Sequence, residues 1–418
     1  MRILWIKAGG LVPPDTGGKI RSYNILRELA RTHSVSLFCF YGEHANDLHP
    51  QLDRSLDRVV CVPMKLPTPK GVGELVEYLG NMFSPEPYNM AKYCRPQAHR
   101  ELRKLLERES YDVILCDFLF AAGVIPWDFD CPKVLFTHNV EAVIWQRHYE
   151  VASNPLWKAL SWVEWRKMIR AEQNYLKLAD HVLAVSENDR DEFVSFLDPS
   201  RLTVIPTGVD TEFFQPSPEE EAPDSIVFTG SMDWLPNEDA MIYFIEQILP
   251  LIRNELPQAS LKVVGRKPSR RLQELAARKP GVELTGWVED VRPHVARGAV
   301  CVVPLRIGGG TRLKIFEAMA MGKAVVSTSI GAEGLPVQHS QDILLADDPA
   351  EFAHSVVSLL RNSSERKRLG VAARKLVEDN YGWPKIARTF AAVLAQVVEK
   401  QHGTEVRAGQ PAPQPISR

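Results

Sequence analysis

The chain has no run of eighteen apolar residues, no C-x-x-C pair and no surplus of either charge, and each absence excludes a class of protein. Without a long apolar run, no segment reads as a membrane-spanning helix. The six cysteines, Cys39, Cys61, Cys94, Cys116, Cys131 and Cys301, stand singly, most of them inside apolar strand-like runs. They read as buried thiols of a reducing compartment rather than as a disulfide framework or zinc ligands. A formal net charge of −2 lacks the basic excess with which a general nucleic-acid binder meets phosphates, so no nucleic acid is expected as a partner. The opening Met1-Arg2-Ile3-Leu4-Trp5-Ile6-Lys7 is too short for a secretory signal, and the expected location is the cytoplasm.

What the chain does have is a rhythm. Short apolar, β-branched runs at 3–7, 34–40, 59–62, 112–116, 133–137, 181–185 and 202–205 alternate with helical spacing, and after a break the pattern resumes at 226–229, 261–264, 282–285, 300–303, 324–327 and 343–346. Such alternation means βαβ units and parallel sheets. At 418 residues the chain exceeds one hydrophobic core. The break, PTGVDTEFFQPSPEEEAPDS at 206–225, is rich in proline and acids and poor in core formers. The expected organisation is a domain over 1–205, a linker over 206–225, a second domain over 226–383 and an amphipathic helix over 384–401 returning to the first domain. The polar, proline-rich residues 402–418 are expected not to fold. Two doubly wound domains would face one another across a cleft, with ligands at the carboxyl ends of the strands.

One stretch asks for a ligand. In RIGGGTRLKIFEAMAMGKAVV, three glycines stand between a strand and a helix, where their conformational cost needs a reason. Backbone amides at a helix N-terminus suit a phosphate, and Arg312 and Lys314 add two cations within a turn. A glycine turn that merely reverses the chain is the alternative. Neither common phosphate motif applies: the Walker spacing is absent, and Leu313 stands where the dinucleotide fingerprint needs its third glycine. A nicotinamide dehydrogenase is therefore disfavoured. Gly17 and Gly18 open a second helix whose N-terminus also suits an anion, or simply make a tight turn.

Taken in order, AGGLVPPDTGGKIR, FTHNVE, LADHVLAVSEND, VIPTGVD, FTGSMDWLPN, VVGRKPS, LTGWVEDV and GGGTRLKIFEAMAMGKAVVST resemble the retaining, nucleotide-sugar-dependent glycosyltransferases of family four. The resemblance spans about residues 1 to 400. It implies the GT-B fold of two Rossmann-like domains and transfer of a hexosyl group from a nucleotide diphosphate sugar with retained anomeric configuration, as in bacterial exopolysaccharide or glycoconjugate synthesis. Departure of the diphosphate builds negative charge that the site must stabilise. Arg266, Arg312 and Lys314, with the amides of Gly308, Gly309, Gly310, Thr311 and Arg312, would do so, with no metal or cofactor required. Glu317 matches the second glutamate of the family's E-x7-E motif, which holds the ribose hydroxyls. The first is replaced by Gly309, so its sugar contact does not carry over. The family's usual Arg and Lys after the first strand of the second domain are likewise absent around Gly230, and Arg266 is taken as their substitute. Gly286, Trp287 and Val288 resemble the nucleobase loop, a buried tryptophan being the alternative. His138 matches a histidine that approaches the donor sugar, a structural cap being the alternative. The expected catalytic set is His138, Arg266 and Lys314.

Two other functions share this pattern: a nucleotide-sugar epimerase of the same fold, and a GT-B subunit that binds without turnover. The expected acceptor is a sugar or a lipid-linked sugar. Peripheral contact with the inner face of the membrane is expected if the helix PLWKALSWVEWRKMIRAE at 155–172 is exposed, since it mixes Trp157, Trp162 and Trp165 with Lys158, Arg166, Lys167 and Arg170, core packing being the alternative.

Overall fold

Strands buried on both faces read as near-continuous apolar runs, and the structure turns each such run into a strand of a parallel sheet. The structure, a computed structural model, describes residues 1–14, 16–42, 55–67, 71–152, 154–307 and 313–408. It divides into two compact units, Met1–Pro206 together with the chain from Ile386, and Thr207–Lys385.

The first unit holds β1 (Arg2–Ala8), β2 (Ser34–Gly42), β3 (Arg58–Met64), β4 (Val113–Asp117), β5 (Lys133–Phe136), β6 (His181–Ala184) and β7 (Leu202–Val204). Their order is β3-β2-β1-β4-β5-β6-β7, every pair parallel. The chain steps outward from β1 to β3 and then returns to the other side of β1, so the β1/β4 boundary is where the winding reverses. Helix α1 (Gly17–Leu29) follows β1, and α2 (Val72–Asn81), α3 (Glu141–Val151) and α4 (Pro155–Leu178) lie further along. The start of α4 is fixed by Asn154, whose side chain accepts from the amides of Leu156 and Trp157, with proline in the first turn.

The second unit holds β8 (Ser225–Thr229), β9 (Ser260–Val264), β10 (Val282–Leu284), β11 (Val300–Val303), β12 (Ala324–Ser327) and β13 (Leu344–Leu345), in the order β10-β9-β8-β11-β12-β13 and again parallel. Winding reverses between β8 and β11. Helix α5 (Leu313–Ala320) joins β11 to β12.

The last helix, α6 (Trp383–Ala408), adds Phe390 to the first unit's core, stacked on Trp5 at 5.8 Å and edge-on to Phe136 at 5.2 Å. It continues past residue 401 into the stretch read from sequence as unfolded, and residues 409–418 lie outside the described residues. The acidic segment before β8 is fastened to the second unit: Glu221 accepts from Lys323 at 2.6 Å and from Arg366 at 3.1 Å, and Glu219 pairs with Arg297 at 2.9 Å. No disulfide joins any of the six cysteines; Cys61 and Cys94 are only partly buried, and the Sγ atoms of Cys39 and Cys61, opposite one another on β2 and β3, lie 3.5 Å apart.

Candidate functional site

In each unit a group of polar side chains gathers at the carboxyl ends of the strands where the winding reverses, the place where open α/β sheets bind ligands.

In the first unit the centre is Asp117, the last residue of β4 and fully buried. Its Oδ2 accepts from Lys7 Nζ of β1 at 2.9 Å and from Trp5 Nε1 at 2.8 Å, and its Oδ1 faces His138 Nε2 at 2.6 Å. Burial pushes the carboxyl up, but Lys7 and His138 outweigh it and hold Asp117 well below the usual carboxylate range. His138, two residues beyond β5, is 5% exposed. Burial drives its pKa down to about 4 against the pull of Asp117, so the ring is neutral at pH 7. Nε2–H then donates to the carboxylate, and Nδ1 accepts from Arg21 of α1 at 3.1 Å. Arg21 is itself buried, and its pKa falls to about 10, which leaves it charged. Ser22 completes the group, 3.2 Å from Lys7 Nζ.

This network is what the sequence reading missed around His138. The signal was present: an acid closing the apolar strand VILCD and a lysine inside RILWIKA have no reason to be buried unless they meet. Gly17 and Gly18 are the first residues of α1, and a Cβ on Gly18 would sit 3.8 Å from the His138 ring, so the helix start packs on the imidazole face. The structure therefore brings Gly17, Gly18 and His138 together. Both ring nitrogens of His138 are occupied. A ligand hydroxyl that donates to this ring must take Nδ1 from Arg21.

In the second unit the turns after β8 and β9 touch backbone to backbone. A Cβ on Gly265 would lie 1.7 Å from the Gly230 carbonyl oxygen, so no side chain fits there. A Cβ on Gly230 would meet Lys314 Nζ at 2.6 Å and Asn237 Nδ2 at 2.8 Å. Lys314, in the first turn of α5, donates to Asn237 Oδ1 at 2.6 Å and lies 4.1 Å from the centre of the Phe228 ring. Arg266 Nε donates to Ser231 Oγ at 2.8 Å. Thus Gly230, Arg266 and Lys314 share one corner at the β8/β11 reversal. Asn237, buried and bonded to both Lys314 and the Ser231 carbonyl, joins them without having been foreseen.

One turn along α5, Glu317 is partly exposed as a residue, yet burial around its carboxyl pushes the pKa up to about 7, with Lys314 pulling it back. Gly286 follows β10 with φ of +70°, a conformation suited to glycine, and is bridged to Gly265. Trp287 is 73% exposed, which excludes the buried-tryptophan alternative, while Val288 packs on the second core. Gly308, Gly309, Gly310, Thr311 and Arg312 lie outside the described residues. Chemically, the corner presents two cations and a titratable carboxyl around a glycine-lined approach, a set suited to a nucleoside diphosphate.

Comparison with known proteins matches both parts of the chain. Residues 16–213 match the profile described as Glycosyltransferase Family 4, and residues 223–362 match Glycosyl transferases group 1. An uncharacterised 44.6 kDa protein in the cps region of Klebsiella pneumoniae is 22% identical over 388 residues, covering 90% of this chain and 95% of that protein. A GDP-mannose-dependent alpha-(1-6)-phosphatidylinositol monomannoside mannosyltransferase of Mycobacterium tuberculosis is 27% identical over 240 residues, covering 51% of this chain and 61% of that protein. Among solved structures, Anabaena HepE in complex with UDP superposes with a TM-score of 0.67 at 15% identity, over 95% of this chain and all of that one.

Proposed function

Because the chain belongs to the group 1, family 4 glycosyltransferases and has the GT-B fold, we propose that it moves a hexosyl group from a nucleotide diphosphate sugar to an acceptor hydroxyl with the anomeric configuration retained. In that reaction the bond from the anomeric carbon to the diphosphate breaks, its electrons leave with the phosphate oxygen, and the acceptor oxygen forms the new bond as its proton passes to the leaving group. The observation that carries this reading is the corner of Arg266, Lys314 and Gly230 at the β8/β11 reversal. Two fixed cations there stabilise charge where it grows, on the departing diphosphate. Glu317 takes the ribose hydroxyls, Gly286 to Val288 take the base, and the glycine loop 308–312 adds backbone amides to the phosphates. In the first unit, Asp117 fixes His138 in the tautomer whose Nδ1 can accept from a sugar hydroxyl. No metal has a step in this scheme, so transfer persists in a chelator; loss restored by a divalent cation would contradict it.

The acceptor in this reading is a sugar or lipid-linked sugar of a cell-surface polysaccharide or glycoconjugate. It is supported by the relative encoded in a cps region and by the mannosyltransferase whose acceptor is a phosphatidylinositol mannoside. A thermal-shift screen of UDP, GDP and ADP tests donor binding. At a hundred times its dissociation constant, the matching nucleotide adds about 2.7 kcal/mol of stability. Lys314→Ala should shrink that shift, and the absence of any shift with all three nucleotides would count against the reading.

A further inference from the structure

Helix α2 is amphipathic and seated with its apolar side outward. Val72, Leu75, Val76 and Leu79, followed by Phe83, recur at intervals of three and four and so form one stripe. Their exposures are 79%, 57%, 62%, 49% and 94%, and no residue of α2 is buried. The opposite face is the one held to the protein. Glu77 pairs with Arg95 at 2.7 Å, the Tyr78 ring meets Tyr88 at 5.1 Å, and the Asn81 carbonyl accepts from Lys167 of α4 at 2.8 Å. Folding has pinned the polar side of this helix and left a contiguous apolar stripe in water, an arrangement that marks an interaction surface.

The neighbouring surface says what covers it. Along α4, Trp162, Arg166 and Arg170 follow one another four residues apart and are exposed. With Phe83, Ser84 and Pro85 they line an open groove of about 470 Å³. Lys158, Trp157 and Leu156 extend the same exposed end of the helix. The acids of α4 are turned inward: Glu164 accepts from the Tyr88 amide and Glu172 from the Glu141 amide, both nearly sealed from water. Of two further residues that the sequence assigned to this surface, Lys167 only edges the groove and Trp165 does not line it. Lys167 is buried between Glu164 and the Asn81 carbonyl, and Trp165 stacks on Tyr149.

We propose that α2 and the exposed stripe of α4 dock the first unit onto an anionic lipid bilayer. In this arrangement α2 lies in the interface plane with Leu75, Val76, Leu79 and Phe83 among the acyl chains. Trp162 and Trp157 sit at headgroup depth, where amphipathic rings are favoured, and Arg166 and Arg170 meet lipid phosphates. An apolar stripe flanked by exposed arginines, with the helix's carboxylates turned away, matches the layered chemistry of that surface. A second copy of the chain fits it worse, because a two-fold contact would set the same arginines against one another. The proposal is independent of which sugar is transferred, and its test uses no turnover.

The test is co-sedimentation of the full chain with vesicles of phosphatidylcholine, with and without phosphatidylglycerol. The chain should pellet with the anionic vesicles, less so as salt rises and screens the arginines. Leu79→Ser with Phe83→Ser should lower the partition coefficient by roughly tenfold or more by removing inserted apolar area. Arg166→Glu with Arg170→Glu should abolish the preference for phosphatidylglycerol. All four side chains are exposed, and an unchanged urea-unfolding transition of the first unit would verify that the variants fold. An unmodified chain that stays in the supernatant with anionic vesicles overturns the proposal. So does a chain that is dimeric in solution and becomes monomeric on Leu79→Ser with Phe83→Ser without ever binding vesicles, since the face then belongs to a second copy.

Discussion

Glu317 can report on the donor site through pH. Its carboxyl, raised to about 7 by burial, ionises only as pH climbs through neutrality, and the ionised form is the one that accepts two ribose hydroxyls. The raised value means the proton is bound more tightly than in an exposed glutamate, so donor affinity should increase with pH across that range and level off above it. A nucleotide sugar is the proper probe, because its diphosphate diester does not titrate there. Glu317→Gln should remove the slope and weaken binding by about 1.5–3 kcal/mol, the range for hydrogen bonds to a charged group. Calorimetry at several pH values checks both; an unchanged slope would take Glu317 out of the site. His138 makes a different prediction, since its neutral ring contributes orientation rather than charge. His138→Ala should lower kcat by roughly ten- to a thousandfold, about 1.4–4 kcal/mol of transition-state stabilisation, while affinity for nucleoside diphosphate stays nearly intact. Full turnover in a folded variant would leave the histidine a structural cap. At this scale the sequence showed candidates but not partners. His138 and Lys314 stood out by position after a strand and in a first turn, whereas Lys7 finds Asp117 across 110 residues and Lys314 finds Asn237 across 77, separations that no local pattern encodes.

Among the elements, the strands were legible and the faces of some helices were not. Val113–Asp117 and Val300–Val303 are buried along their whole length, which is why their sequences carry no polar alternation and why apolar runs located them. The α2 stripe is equally clear in the sequence, but an apolar stripe ordinarily faces the core, and here the core is on the other side. Only packing against Arg95, Tyr88 and Lys167 shows the reversal. The last helix depends on a contact between the two ends of the chain, Phe390 against Trp5, which spacing cannot announce. Phe390→Ala should open a cavity between Trp5 and Phe136 and cost about 3–5 kcal/mol. Urea unfolding of the full chain would show it as an earlier transition of the first unit, and a loss under about 1 kcal/mol would mean the helix is not integral to that core.

As a whole, the chain is two separately wound parallel sheets, each carrying its polar cluster at the strand ends where winding reverses. One cluster has two cations and a titratable carboxylate; the other has a neutral histidine locked to a buried aspartate. The cationic cluster suits a diphosphate, and an epimerase of the same fold would use it equally well. The product separates the two. The most direct measurement is NMR of the material formed from the nucleotide sugar that the thermal screen selects, incubated with a sugar acceptor and a chelator. The proposed reaction predicts a new glycosidic bond whose anomeric coupling matches that of the donor. An inverted linkage, or a nucleotide sugar converted to its epimer with the acceptor untouched, would contradict it.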